Sequence, residues 1–234
     1  MEQSTNHVKA EGLVSEVVYV TCQGEGPFQG LYPVSLIRFK DCLLACPFCD
    51  TKDRKALPPG HVIVTEALQR SIIVTGGEPL LRPHIEWLWK IVDLQEEHQF
   101  HFETSLSFPL SNEVFEFLSA NDCILSISPK PFSELLLYSF IRSLKQLRSF
   151  VSDEQVFLKL LLPNPFPLDK AQDICFEVFK TVFPESKVVL MPLTDKNGRF
   201  SKEKFRQEVS LFHVKHGSEE FILSPRLHFL LEFD

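Results

Sequence analysis

From Ser71 to Leu223 the chain alternates between short apolar runs and longer amphipathic ones, and this alternation restricts the fold more than any other feature. Ser71–Val74, Phe100–Phe102, Cys123–Ile127, Phe157–Leu162, Lys187–Met191 and Phe221–Leu223 read as strands, too short and too rich in apolar residues for exposed helices. Between them, helices are predicted from about His84 to Glu97, Glu113 to Ala120, Ser133 to Arg148, Asp169 to Phe183 and Ser201 to Phe212. The first shows the rule, with Ile85, Leu88, Trp89 and Val92 at i, i+3, i+4 and i+7. Strands separated by a helix each time run parallel, because a crossover returns the chain to the same edge. Whatever follows each strand is then expected along one rim, where parallel α/β sheets bind ligands.

Polar clusters stand at those positions: Thr75-Gly76-Gly77-Glu78, Glu103-Thr104-Ser105, Ser128-Pro129-Lys130 and Met191-Pro192. They are expected to line one cavity. Glycines let a ligand approach the backbone, and Glu78 offers a carboxylate to an ammonium group.

The N-terminal part reads differently. Val14–Val20 is β-branched and strand-like, and it runs into Gln23-Gly24-Glu25-Gly26-Pro27, a turn. This is not a dinucleotide fingerprint, since Pro27 and Pro33 follow, no helix-forming run appears, and the third glycine is Gly30. Tyr32–Phe39 is a second strand. Residues 52–61 read as a loop and Val62–Arg70 as two helical turns.

Between strand and loop lies Cys42-Leu43-Leu44-Ala45-Cys46-Pro47-Phe48-Cys49-Asp50-Thr51, three thiols spaced three and then two residues apart. Thiolates at this spacing suit an iron-sulfur cluster or zinc. Zinc sites need a second ligand pair, whereas Cys22, Cys123 and Cys175 stand singly in apolar runs as small buried hydrophobes. A four-iron cubane held by three cysteines keeps one iron open to a reactant.

The 234 residues suffice for one domain with a sizeable core, and 22 phenylalanines make that core aromatic. A net charge of -7 without a Lys/Arg block argues against a nucleic-acid partner. No apolar run is long enough to span a bilayer, and Met1–Glu11 is polar, so a cytoplasmic protein with reduced thiols is expected.

Cys-x3-Cys-x2-Cys followed by Gly76-Gly77-Glu78-Pro79 resembles the radical S-adenosylmethionine enzymes. With Gln23-Gly24-Glu25-Gly26, Gly30, Pro33, Arg38 and Cys49-Asp50-Thr51 added, the pattern resembles the 7-carboxy-7-deazaguanine synthase family, in pieces from Thr21 to the last residue. The resemblance implies an α/β fold, an incomplete TIM-like barrel of about six parallel strands with the cysteine loop over its open rim. It implies conversion of 6-carboxy-5,6,7,8-tetrahydropterin to 7-carboxy-7-deazaguanine with loss of ammonia, begun by a 5'-deoxyadenosyl radical. It further implies a 4Fe-4S cluster on Cys42, Cys46 and Cys49, S-adenosyl-L-methionine, Mg2+, a flavodoxin-like reductant and a homodimer.

Residue by residue, the resemblance gives Phe48, Gly76, Gly77, Glu78, Thr104, Ser128 and Lys130 to the cofactor. Gln23, Gly24, Glu25, Arg38, Thr75, Glu103 and His228 go to the substrate, and the Thr51 hydroxyl to Mg2+. On residue type alone Arg38 equally suits a core ion pair with a glutamate, Phe48 a shield for the cluster, and Thr51 a loop cap. His61, His84, His98, His213 and His216 read as structural or surface residues. Departures from the family pattern occur at Asp41 and Leu43 (usually Gly and Asn), at Ser105-Leu106 (Asn-Gly), at Met191 (Gln) and at Arg226 (Gln). They flank the cofactor and substrate positions, where they could shift specificity to a related pterin or purine. Two other readings remain: a radical activase acting on a partner protein, and a non-enzymatic iron-sulfur or zinc module.

Overall fold

The computed structural model describes residues 7–22, 33–49, 53–94, 98–168, 170–194, 199–217 and 221–224, which fall into two compact units. The first unit takes its described residues from 7–22, 33–104 and 110–125, the second from 105–109 and 126–224.

In chain order the first unit contains β1 (His7–Lys9), β2 (Val14–Cys22), β3 (Pro33–Phe39), β4 (Val62–Val64), β5 (Ser71–Gly76), α1 (Arg82–Val92), β6 (Gln99–Thr104), α2 (Asn112–Ala120) and the start of β7 (Asp122–Ile127). Its strand order is β7-β6-β5-β3-β2. β2 and β3 are antiparallel, while β3, β5 and β6 run parallel, in a register that sets Arg38 beside Thr75 and Phe39 beside Gly76. Both faces of β5 are covered, which is why Ile72, Ile73 and Val74 form an unbroken apolar run. On one of them Phe100, Phe102 and Phe117 meet with ring centroids 5.3–6.2 Å apart, and each such buried ring contributes about 1.5–3 kcal/mol.

The second unit contains α3 (Glu134–Leu147), β8 (Val156–Leu162), α4 (Ala171–Val182), β9 (Lys187–Pro192), α5 (Lys202–His216) and β10 (Phe221–Leu223). β8, β9 and β10 are parallel neighbours, as helix crossovers require. Residues 105–109 belong to this unit too, where the Phe108 carbonyl accepts the Ser143 hydroxyl of α3 at 2.6 Å.

The strand–helix alternation is present as expected, with three local differences. Val62–Val64 is not helical: it pairs antiparallel with β1 in a two-stranded sheet, and only 65–67 forms a single 3-10 turn, since alternating β-branched side chains favour an edge strand. α1 begins at Arg82 rather than His84, because Pro83 in the first turn is compatible with a helix start, and it ends at Val92 rather than Glu97. α5 continues to His216, where Gly217 at φ +78° ends it. Among the described residues no helix is long and apolar enough to cross a membrane.

Candidate functional site

β3 ends at Phe39 and delivers the chain into the cysteine loop. Cys42 is exposed and Cys46 and Cys49 are half-exposed. The loop is turned by its own backbone, with Cys49 N donating to Cys46 O at 3.1 Å across Pro47 and the half-buried Phe48. Leu44 N–H donates to Cys42 Sγ at 3.4 Å. Among the described residues no three His, Cys, Asp or Glu side chains are gathered closely enough to hold a metal ion. The donor set itself, three thiols within eight residues on an accessible loop, fits a cluster held by thiolates.

What fixes this loop is the turn after β5. Gly77 N donates to Phe39 O at 2.9 Å and Glu78 N to Asp41 O at 2.8 Å, so the turn is stitched to the residues that lead into Cys42. A Cβ on Gly76 would lie 2.2 Å from Phe39 O, and one on Gly77 would lie 2.0 Å from Asp41 O. Gly76 also has φ +108°. The room made by these glycines is therefore taken by the protein's own backbone, a requirement separate from any ligand.

Side chains then tie β5 to β6. The Thr104 hydroxyl donates to Glu78 Oε1 at 2.7 Å, with both residues 2% exposed, and Thr75 Oγ1 donates to Glu103 Oε2 at 2.8 Å. Leu80 N adds a 3.4 Å bond to Glu78 Oε1. His84, in the first turn of α1, is wholly buried with Nδ1 2.8 Å from Glu78 O, and its ring stacks on Phe39 at 4.0 Å. Burial pushes the His84 pKa below its ordinary value, against the opposing pull of the Glu78 carbonyl and the Asp41 charge.

Arg38 makes the core ion pair that its residue type allowed, but with a glutamate not singled out from the sequence. Its Nε donates to Glu16 Oε2 at 2.8 Å across the β2–β3 register, and Arg54 meets the same oxygen at 2.9 Å. Burial works against the Glu16 charge, yet the hydrogen bond from Arg38 and the charges of Arg38 and Arg54 hold its pKa below the carboxylate range.

In the second unit Lys130 Nζ donates to Ser128 Oγ at 2.7 Å and to Ser128 O at 2.9 Å, while Lys130 N donates to Ser107 Oγ at 3.4 Å. The lysine is thus folded back on the serine two residues earlier. Lys159, buried in the middle of β8, was not distinguished in the sequence, because one charge inside an apolar run gives no sign of its surroundings. Gln23, Gly24, Glu25, Thr51 and His228 lie outside the described residues, as do Gly26, Gly30 and Arg226.

The structure therefore brings together, in the first unit, the residues leading into Cys42 and the ends of β5 and β6, with Glu78 at the junction. It describes Ser128 and Lys130 as a local pair in the second unit. Glu16 and His84 are the first unit's additions to the residues expected from sequence.

Comparison with known proteins follows the same outline. The chain is 30% identical over 169 residues to the 7-carboxy-7-deazaguanine synthase of Thermoplasma acidophilum, covering 69% of this chain and 75% of that protein. It is 26% identical over 192 residues to that of Aquifex aeolicus, covering 79% of this chain and 80% of that protein. A shorter stretch of 75 residues is 43% identical to that of Hyperthermus butylicus, covering 29% of this chain and 32% of that protein. No protein-family model matches the chain.

Proposed function

The chain belongs to the 7-carboxy-7-deazaguanine synthase family, and from that membership we propose that it converts 6-carboxy-5,6,7,8-tetrahydropterin to 7-carboxy-7-deazaguanine, expelling ammonia, in queuosine and deazapurine biosynthesis. The observation that supports this most is the backbone stitching of the Gly76–Glu78 turn to the residues that open the three-cysteine loop. The strand end that opens one motif and the turn that forms the other are thereby joined through their backbones.

In this reading Cys42, Cys46 and Cys49 hold a 4Fe-4S cluster. When bound, the cluster and S-adenosyl-L-methionine would supply the radical chemistry that the ring contraction needs. Glu78, its carboxylate oriented by Thr104, accepts from the methionine ammonium beside Gly76 and Gly77. Ser128 and Lys130 hold the nucleoside, and Phe48 covers the adenine or the cluster. Arg38 presents a cation to the substrate carboxylate, with its Nε anchored by Glu16. Gln23, Gly24, Glu25, Thr75, Glu103 and His228 meet the remaining polar edge of the pterin, and the Thr51 hydroxyl ligates Mg2+. A partial barrel, one catalytic domain, a flavodoxin-like reductant, a homodimer and a cytoplasmic location complete the proposal.

The test is anaerobic reconstitution with iron and sulfide, followed by incubation with S-adenosyl-L-methionine, a reductant, Mg2+ and the carboxytetrahydropterin. The expected result is a deazaguanine chromophore together with deoxyadenosine and methionine. Deoxyadenosine without the chromophore would retain the radical chemistry and reject the substrate. One bound zinc and no sulfide would reject both.

A further inference from the structure

This inference rests on the reading of Gly76–Glu78 as the turn that meets the cofactor's amino acid. We propose that His84 is a positioning residue for that turn: by donating Nδ1–H to the Glu78 carbonyl and stacking on Phe39, it sets the place of Glu78 relative to the cysteine loop. A carbonyl only accepts, so Nδ1 carries the proton in the 2.8 Å contact. Nε2 is then a buried acceptor, and it has no hydrogen-bond partner among the described residues.

That leftover nitrogen is informative. Phenylalanine would keep an aromatic ring for the stack without burying an unsatisfied polar atom, so stacking by itself does not select histidine. The ring lies 4.0 Å from Phe39 at an interplanar angle of 4°, and the Phe39 ring is held edge-on by Trp87 at 5.7 Å. Phe39 O accepts Gly77 N, and two residues later Asp41 O accepts Glu78 N. One imidazole therefore touches both segments that these backbone bonds join. Glu78 is held at its amide by Asp41, at its carbonyl by His84 at 2.8 Å and Leu81 N at 3.3 Å, and at its carboxylate by Thr104 and Leu80 N. Of these, only the His84 contact is a side chain of α1, and it ties the turn to the helix that follows it.

His84→Phe keeps the ring and deletes the donor, whereas His84→Asn places an amide N–H close to where Nδ1–H lies. Amide hydrogen exchange of residues 76–80 is measured on the full chain without cofactor. Iron and sulfide content and equilibrium binding of S-adenosyl-L-methionine are measured after reconstitution. For His84→Phe we expect a melting temperature lowered by about 2–6 °C, unchanged iron content, exchange at Gly77 and Glu78 about tenfold faster, and cofactor affinity about fivefold weaker. For His84→Asn we expect both to return to within about twofold of wild type. Wild-type exchange and affinity in His84→Phe would overturn the assignment. Should His84→Phe not fold, His84→Leu, which also deletes the donor, takes its place: faster exchange with weaker affinity supports the assignment, and wild-type values in both overturn it. If wild type itself binds no S-adenosyl-L-methionine, the cofactor reading of the turn fails, and the exchange rates still judge His84.

Discussion

Gly77→Ala is the most direct probe of how the site is assembled. An ideal Cβ at this position would sit 2.0 Å from Asp41 O, 2.4 Å from Asp41 C and 2.8 Å from Lys40 O. All three are backbone atoms, so no side chain can rotate away. Ordinary contact needs more than about 3.2 Å, so the turn and the strand end must part by about 1.2 Å. The bonds Gly77 N–Phe39 O and Glu78 N–Asp41 O, now 2.9 and 2.8 Å, would then exceed hydrogen-bonding distance. Two such bonds at about 1 kcal/mol each, with some penalty for buried groups left unsatisfied, give a destabilisation of about 2–4 kcal/mol. For a chain of this length that lowers the melting temperature by about 5–15 °C.

The assay is thermal unfolding of the cofactor-free protein followed by circular dichroism, with iron content after reconstitution as a second readout. Gly60→Ala is the control, since its Cβ would meet nothing within 4 Å, and its effect should stay within about 0.5 kcal/mol. Equal melting temperatures for Gly77→Ala and Gly60→Ala would refute the close approach. Lowered stability with wild-type iron content would show that the turn and the loop are coupled in folding but not in cluster retention.

Thr104→Val removes the 2.7 Å bond to Glu78 Oε1 between two buried groups, and urea denaturation should show a loss of about 1–3 kcal/mol, with weaker S-adenosyl-L-methionine binding by equilibrium dialysis. Glu16→Gln tests the Arg38–Glu16–Arg54 group: because the folded-state pKa of Glu16 lies below its ordinary 4.5, its contribution is present above that pH and fades as pH falls through the folded value. The stability difference between wild type and Glu16→Gln should therefore narrow from pH 7 to pH 3.5, and a constant difference would mean that the charge is not what matters. His101 works in another window, since burial lowers its pKa from 6.5 to about 4 despite the charge of Asp122. Below 6.5 the unfolded chain takes up a proton that the folded one does not, so between pH 7 and 4.5 wild type should lose about 2–3 kcal/mol relative to His101→Phe.

The parts of the fold that were legible in sequence are those whose signal repeats along the chain. β5, β6, β7, β8 and β9 appear within a few residues of their expected places because each is an apolar run bounded by polar turns and followed by a helical stripe. β1 and β4 escaped because three residues cannot establish a period, and they exist only by pairing with each other across more than fifty residues. The convergence of Thr75–Glu78 with Glu103–Thr104 followed from parallel register alone. What filled the space above Gly76 and Gly77 did not follow, since a glycine spared for a ligand and one spared for a neighbouring backbone look alike in sequence. Glu16 stayed hidden for a related reason: β2 shifts register between Val14 and Glu16, so which residue faces Arg38 is settled by the bulge rather than by counting. His84 reads as one more helical histidine until its Nδ1 is seen against Glu78 O.

The same distinction sorts the positions at which this chain departs from its family's pattern. Asp41 enters the site through its carbonyl, which accepts Glu78 N, and its side chain is exposed, so an aspartate serves that backbone contact as a glycine would. Leu43 is 67% exposed and leaves the stitching of the loop untouched. Leu106 is different in kind. It is fully buried at φ +52°, a left-handed conformation that costs a leucine about 1–2 kcal/mol and a glycine nothing, and its neighbours Ser105 and Ser107 hold it there through a 3.4 Å and a 3.2 Å hydrogen bond. A strained, buried side chain persists only where its surroundings fix it, so its bulk is a fixed part of the core that it joins. Met191 is likewise fully buried, in register with Leu161, where an amide would have to find a partner. Of the four departures, Leu106 and Met191 thus occupy interior space, where a change of side chain must be met by the packing around it, and Asp41 and Leu43 do not.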